Sequence, residues 1–411
     1  MGNCFLYKRG GGSGGGGSAP PLTIITAMGE VIKLIDSVAK PLHGLTLYGK
    51  TTQDGTPSPD APVALDSVGD GGNIGVTVCG KNLLKYPYAE TTKTENGITF
   101  TDNGDGTITV NGTAAGNSHF RFETSNAPLD IPAGLTVTLS GCPSGGSTST
   151  FRVQMNNGGS GVGDYGESKT FITAEGAVYG YIQIFSGFTA NNLVFEPQLE
   201  IGTIATDYEP YKEPQTLTVP TPNGLPGIPV TSGGNYTDST GQQWVCDEID
   251  LGRGVYVQRI AKVVYDGSEF WNVVGTEAGT KAMRLMTLDP PAKPAVNNNK
   301  LEGTNIKSSE FITVPAGIGG VYSSVEGISV NTSGHLAIYW ERYNTSDVSL
   351  WKAYLADYPM TVIYELATPI ERPLTAEELA DYASLSTYYP TTTVYNDAGA
   401  GMEVKYVSTG G

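Results

Sequence analysis

The sequence predicts a mainly β protein of tandem β-sandwich, jelly-roll-like modules, with two short helices in the C-terminal module and a Gly-rich tether at the N-terminus. Three observations predict it. Short runs of alternating apolar and polar residues recur along the chain, the period of a half-buried strand. Charged residues make up only 16% while Gly reaches 55 and Tyr 23, which suits short strands and tight turns better than Lys- and Glu-rich helices. Neither heptads nor long apolar runs occur, which excludes a coiled-coil rod and a membrane-spanning helix. A chain of 411 residues suits two or three domains.

Residues 1–22 read as an anchor and linker. A short apolar head, Cys4-Phe5-Leu6-Tyr7, precedes "GGGSGGGGS" at 10–18, which has nothing to bury. The head residues are the candidates for attachment to an assembly. The opening shows no apolar h-region of a signal peptide. Cys4, Cys79, Cys142 and Cys246 lie far apart without a C-x-x-C pair, so free thiols in a protein made in a reducing cytoplasm are expected.

Residues 23–80 read as a β-rich adaptor, from "LTIITA", "EVIKLID", "LTLYGKTT" and "IGVTVCG". The three prolines of "DGTPSPDAP" keep that stretch out of any central strand.

Residues 81–212 carry about eight closely spaced strands with no helix between them, the pattern of a two-sheet jelly-roll sandwich. "GITFTDNGDGTITVNGTA" predicts a hairpin turning at Asp105-Gly106, and "LTVTLSG", "TFRVQMN", "KTFITA" and "YGYIQIF" follow. "LVFEPQLEIGTIATDYEPYK" closes the sandwich and leaves it through a Pro-Tyr turn.

Residues 213–411 form the C-terminal module, which holds all four tryptophans. In "DVSLWKAYLADYP", Asp347 caps a helix with an apolar face of Leu350, Trp351, Tyr354 and Leu355, ended by Pro359. In "LTAEELADYASL", Thr375 and Glu378 make a capping box, with Leu379, Tyr382 and Leu385 on one side.

The net charge of -17 repels phosphate backbones and argues against a nucleic-acid partner. His43, His119 and His335 lie near no cysteine or second histidine, so no metal spacing is present and no cofactor is implied. Gly161-Val162-Gly163-Asp164-Tyr165-Gly166 matches a dinucleotide fingerprint but precedes a strand, so it reads as a hairpin loop. "DNGDGT" at 102–107 lacks a later acidic ligand and reads as a turn rather than a calcium loop.

What remains is aromatic. Tyrosine and tryptophan rings in β-sandwich loops can stack on the apolar faces of sugars, and the same rings serve protein interfaces. Trp340 and Trp351 read as core. Phe270-Trp271-Asn272 follows a Gly turn and is the candidate ligand-binding rim.

Several phrases carry a resemblance: "LTLYGKTTQDGTPSPDAPVALDSVGDGGNIGVTVCGKNLL", "FEPQLEIGTIATDYEPY", "GQQWVCDEIDLGRGVYVQRI", "YPMTVIYELATPIERPLTAEELADYASL" and "YPTTTVYNDAGAGMEVKYV". Over about 29–407 the chain resembles tail-associated structural proteins of phages and prophages of gut Firmicutes. The resemblance implies a tail fibre or receptor-binding component of the virion, commonly a homotrimer. It also implies contacts with other tail or baseplate proteins and a carbohydrate-binding-like sandwich at 81–212. It transfers no catalytic or ligand residues.

The expected function is therefore non-enzymatic host attachment, through multivalent contacts with bacterial surface glycan, with no membrane partner. Two other readings stand beside it. One is a passive adaptor or capsid decoration protein that binds only virion proteins. The other is a glycan-active enzyme with its site in the C-terminal module.

Overall fold

The computed structural model describes residues 24–25, 32–35, 42–274, 282–285, 288–295, 305–314, 326–340 and 347–405. Cys4, Phe5, Leu6 and Tyr7 and the Gly-rich tether lie outside them. The fold is mainly β, with two short α-helices.

Two sheets make the base of the molecule. The first runs in the order Ile24–Ile25, Ile32–Ile35, Thr391–Asn396, Gly72–Cys79, Gln215–Thr221. The second runs Ile306–Ser308, Met360–Pro373, Val255–Tyr265, Glu248–Asp250, Gly44–Tyr48, Gly401–Lys405. Alternate residues of both sheets close on one core, including Leu45, Leu47, Ile74, Val76, Val78, Leu217 and Val394, each fully buried. Each such aliphatic side chain contributes roughly 1.5–3 kcal/mol relative to an exposed one.

This pairing joins what the sequence divides at residue 80. Strands from 23–80 pair with strands from 213–411: Leu47 faces both Ile249 and Met402, and Val78 faces both Val394 and Gln215. The first segment is thus part of the same sandwich as the last. Alternation reveals strands but carries no information about which distant strand completes a sheet, so segments remote in sequence look like separate modules.

The register Val78↔Gln215 also shows how the middle region is attached. The chain leaves one strand and returns on its neighbour, so residues 80–214 are an insertion between two paired strands. Their strands form three antiparallel sheets around a single core that contains Phe100, Phe120, Phe122, Val153, Ile182 and Phe195. Tyr395 and Cys79 of the base pack into that same core, so the insertion is seated on the base.

The phrase "QLEIGTIATDYEPYK" supplies the seat. Glu200, fully buried, accepts from Gln198 Nε2 at 3.0 Å and from the Thr206 N–H at 2.8 Å. Gln198 Oε1 accepts the Glu209 N–H at 2.9 Å. Lys81 donates to Thr206 Oγ1 at 2.8 Å and to the Asp207 carbonyl, and its Nζ lies 3.2 Å from Glu209 Oε1. That carboxylate oxygen also accepts from Thr391 Oγ1 of the base at 2.9 Å. Buried polar groups are tolerated because most are matched, Glu209 Oε2 being shielded without a hydrogen bond.

The predicted hairpin forms, Ile98–Asp102 against Ile108–Thr113, with Phe100 opposite Val110. Gly104 and Gly106 take the left-handed backbone, with φ of 86° and 87°. Asp105 Oδ1 accepts from the Thr107 N–H and hydroxyl at 2.9 and 2.7 Å, so the turn itself engages this carboxylate. Tyr208 and Tyr88 donate their hydroxyls to the Asp105 and Gly106 carbonyls at 2.9 and 2.7 Å. A Cβ on Gly106 would lie 2.5 Å from the Tyr208 oxygen, so only glycine fits there.

The glycine fingerprint proves half strand. Ser160–Asp164 pairs with Phe151–Asn157, and only the residues after Asp164 turn, their N–H groups from 166 to 168 accepted by Asp164 Oδ1 at 2.8–3.2 Å.

Helix α1, Val348–Asp357, is capped by Asp347, which accepts the Ser349 N–H. Trp351 and Leu355, one turn apart, are fully buried, whereas Leu350 is 48% exposed. The face is narrower than the sequence reading made it, because Leu350 stands about 100° around the helix from Trp351. Helix α2, Ala376–Ala380, has both bonds of its capping box. The chain then tightens to a 3-10 turn at Tyr382–Ser384, and Leu379, Tyr382 and Leu385 all pack on the base core.

Candidate functional site

The sequence places its candidate rim at Phe270-Trp271-Asn272, and the structure separates these three. Phe270 is 74% exposed, but Trp271 is only 2% exposed and Asn272 is half-buried. Trp271 packs edge-on against Tyr265 and Trp351, with ring centroids at 5.6 and 5.4 Å, and its Nε1 donates to Glu269 at 3.0 Å. A ring walled by other rings cannot stack on a ligand, so the rim reading is corrected for Trp271. Trp340 and Trp351 are core, as the sequence reading has them.

A different surface gathers the features that the aromatic argument sought. It is the outward side of the four-stranded sheet Ser118–Arg121, Val178–Ile184, Phe151–Asn157, Ser160–Asp164 in the inserted sandwich. Strand geometry sends alternate residues to opposite faces. Phe120, Phe151, Val153, Met155, Val178, Ile182 and Ile184 go inward to the core. Outward go His119 and Arg121; Tyr179, Tyr181 and Gln183; Arg152, Gln154 and Asn156; and on the edge strand Gly161 and Gly163.

The register sets these in rows: His119 and Arg152 flank Gln183, and Arg121 and Gln154 flank Tyr181. Gly161 and Gly163 lie opposite Asn156 and Gln154. The two glycines leave the edge strand without side chains, so neighbours can lie across it. A Cβ on Gly161 would fall 2.5 Å from Gln154 Nε2, and one on Gly163 would fall 3.1 Å from the Tyr165 ring.

Arg152 is held rigid. Its Nε and one terminal nitrogen donate to Gln183 Oε1 at 3.0 and 2.7 Å, and the other donates to the Tyr165 hydroxyl at 3.1 Å. Its guanidinium lies 5.3 Å from the Phe185 ring centroid. Three of the five guanidinium donors are engaged in this way, which leaves two for a ligand. A cation fixed before binding loses little further entropy on contact.

His119 sets its ring edge-on to Tyr181 at 5.4 Å. Burial, and secondarily the neighbouring cations Arg121, Lys93 and Arg152, lower its pKa against an opposing pull from Glu95. At neutral pH the imidazole is therefore uncharged and offers one donor and one acceptor. Gln154 is half-buried, and its Oε1 is shielded from solvent with no hydrogen-bond partner. An unmatched buried amide oxygen costs about 1–3 kcal/mol.

None of the outward positions on these four strands is acidic, although the chain carries 41 acids against 24 bases. The arrangement offers flat rings, planar amides, a fixed guanidinium and a neutral imidazole. That chemistry holds a polyhydroxylated ligand and supplies no nucleophile and base in mutual contact.

Sequence reasoning placed these strands but did not single out the residues. The signal was the period of two in "TFRVQMN" and "YGYIQIF", where Arg152, Gln154 and Asn156 alternate with core residues as do Tyr179, Tyr181 and Gln183. Only the register turns two polar rows into one surface. Compared with known proteins, the chain matches no family model, no curated protein and no solved structure.

Proposed function

We propose that this chain is a non-enzymatic adhesion protein of a phage tail, and that its inserted sandwich binds bacterial surface glycan on the face built by Arg152, Gln154 and Tyr181. The observation that carries the reading is the outer face itself, where a pinned arginine and the Gln154 amide stand beside the Tyr181 ring with no acidic residue on the outward positions. Sugar rings present apolar C–H faces to aromatic rings and hydroxyls to amides and guanidinium groups. The tail assignment rests on the phrase-level resemblance. A fibre or receptor-binding component assembled as a homotrimer with other tail or baseplate proteins would present several such faces together. Modest affinity at each face then becomes avidity.

The test is binding of the purified full chain to cell-wall polysaccharide of Firmicutes hosts, followed by titration with released oligosaccharides. Tyr181→Ala and Gln154→Ala are expected to weaken binding at least tenfold with the fold intact, since both side chains lie on the outer face. A wild-type chain that binds no wall glycan, or a Tyr181→Ala variant that binds equally well, rejects the reading.

A further inference from the structure

Where the inserted sandwich meets the base lies a cavity of about 370 Å³, within the size range of small-molecule sites. The side chain of Glu123, only 6% exposed, lines it. One carboxyl oxygen of Glu123, Oε2, accepts the Gly180 N–H at 3.2 Å, while Oε1 is shielded from solvent and makes no full hydrogen bond, the Lys85 N–H acting on the carboxyl electrostatically. Tyr211 and Tyr395 also line the cavity. Two exposed acids, Asp130 and Glu213, belong to the lining as well, against one exposed base, Lys85.

The carboxylates of Asp130 and Glu213 outnumber the one base and disfavour an anion. A neutral hydroxyl could match Oε1 but would gain nothing from Asp130 and Glu213. A cation with an apolar stem suits the lining apart from the exposed Lys85, because the faces of tyrosine rings attract positive charge and also cover methylenes.

We propose that this junction cavity is a binding site for a primary aliphatic amine, its ammonium group seated against Glu123 and its methylene stem between Tyr211 and Tyr395. The source is either a small free diamine or a lysine side chain presented by a partner. The site is distinct from the glycan face, being lined by none of that face's residues. Burial pushes the carboxyl of Glu123 up to about 8, against the pull of the Gly180 and Lys85 backbone N–H groups. In the empty cavity at neutral pH it therefore carries a proton. An arriving ammonium favours the carboxylate, so the Glu123 proton leaves to solvent as the ion pair forms.

The experiment is calorimetric titration of the full chain at pH 7 with 1,5-diaminopentane and with Nα-acetyl-lysine N-methylamide, in two buffers of different ionisation enthalpy. Saturable binding of either probe is expected, with heats that differ between buffers because a proton is released. The tighter probe identifies the source. Glu123→Gln preserves an acceptor for Gly180 and is expected to keep the fold, to bind at least tenfold more weakly and to release no proton. Asp130→Asn, at an exposed position, is expected to weaken binding about threefold, the modest effect of a solvent-screened charge. Failure of both probes to bind overturns the proposal. So does equal binding by Glu123→Gln, or 1,5-pentanediol binding as tightly as the diamine.

Discussion

Around Trp351 five aromatic side chains converge: Trp271, Trp340, Phe311 and Tyr354 within 5.4–6.3 Å of its ring centroid, and Tyr265 beyond Trp271. On the outer face of the inserted sandwich, Tyr179, Tyr181 and His119 stand half-buried among Arg152, Gln154 and Gln183. The two regions are similarly rich in rings, and they differ in what borders each ring. In the first, rings touch rings, and indole and phenyl faces are consumed by edge-to-face packing. In the second, rings alternate with planar polar groups and stay partly exposed. Aromatic content locates neither a core nor a binding site; what borders each ring, and how far it stays exposed, distinguishes them.

The largest effect expected from this comparison falls on the first region. Trp351→Ala removes a fully buried side chain from the core that α1 shares with the strands Val255–Tyr265 and Met360–Pro373, leaving a cavity. The expected loss is about 3–5 kcal/mol, read as a lower denaturation midpoint in urea. Binding at the glycan face by the fraction still folded should be unchanged, because the insertion has its own core. If Trp351→Ala costs less than about 1 kcal/mol, the two regions do not differ as described.

How much of this was legible differs between the regions for the same physical reason. The helix of "DVSLWKAYLADYP" was readable because a cap, a 3.6-residue period and a proline stop are all local. The hairpin of 98–113 and the capping box of Thr375 and Glu378 were readable for the same reason. The insertion was not, because nothing near Val78 tells that its partner is Gln215. The outer face was half legible. Its residues announce themselves as polar alternates in strands, but a surface exists only once His119, Gln183 and Arg152 are placed in one row by register. Trp271 misled because a Gly turn and a tryptophan in one phrase look like a rim, while its burial is decided by Tyr265 and by a helix eighty residues further on.

A second prediction sharpens the comparison through buried acids. Burial raises Glu123 in the insertion to about 8, and in the base it raises Glu310 to about 7 and Asp247 to about 6. Each of these carboxyls binds its proton more tightly when folded than when unfolded. At intermediate pH the folded state therefore holds more protons, and stability falls as pH rises. The loss begins near the ordinary carboxyl values around 4 and levels off above each folded value, at a slope of at most about 1.4 kcal/mol per pH unit for each group. Glu123→Gln removes one such group. Its denaturation midpoint should decline less steeply than the wild type between pH 5 and 8, by a difference on the order of 2 kcal/mol. Parallel curves for the two proteins would mean that Glu123 is ionised in the folded state throughout.

The smallest effect is the control on which the contrast between the regions turns. Among the described residues Phe270 is the most exposed ring near the tryptophan cluster, and Trp271 is closed by Tyr265 and Trp351 without it. Phe270→Ala should change stability by no more than about 0.5 kcal/mol, the usual range for a surface position. If rings select ligands only where planar polar groups accompany them, the same variant should also leave glycan binding unaltered. Its nearest chain neighbours offer Glu269, already engaged by Trp271 Nε1 and by the Asp266 and Gly267 N–H groups. A loss of glycan binding on Phe270→Ala, with Tyr181→Ala silent, would move the site from the insertion to the base. It would also show that an isolated exposed ring is sufficient for recognition here.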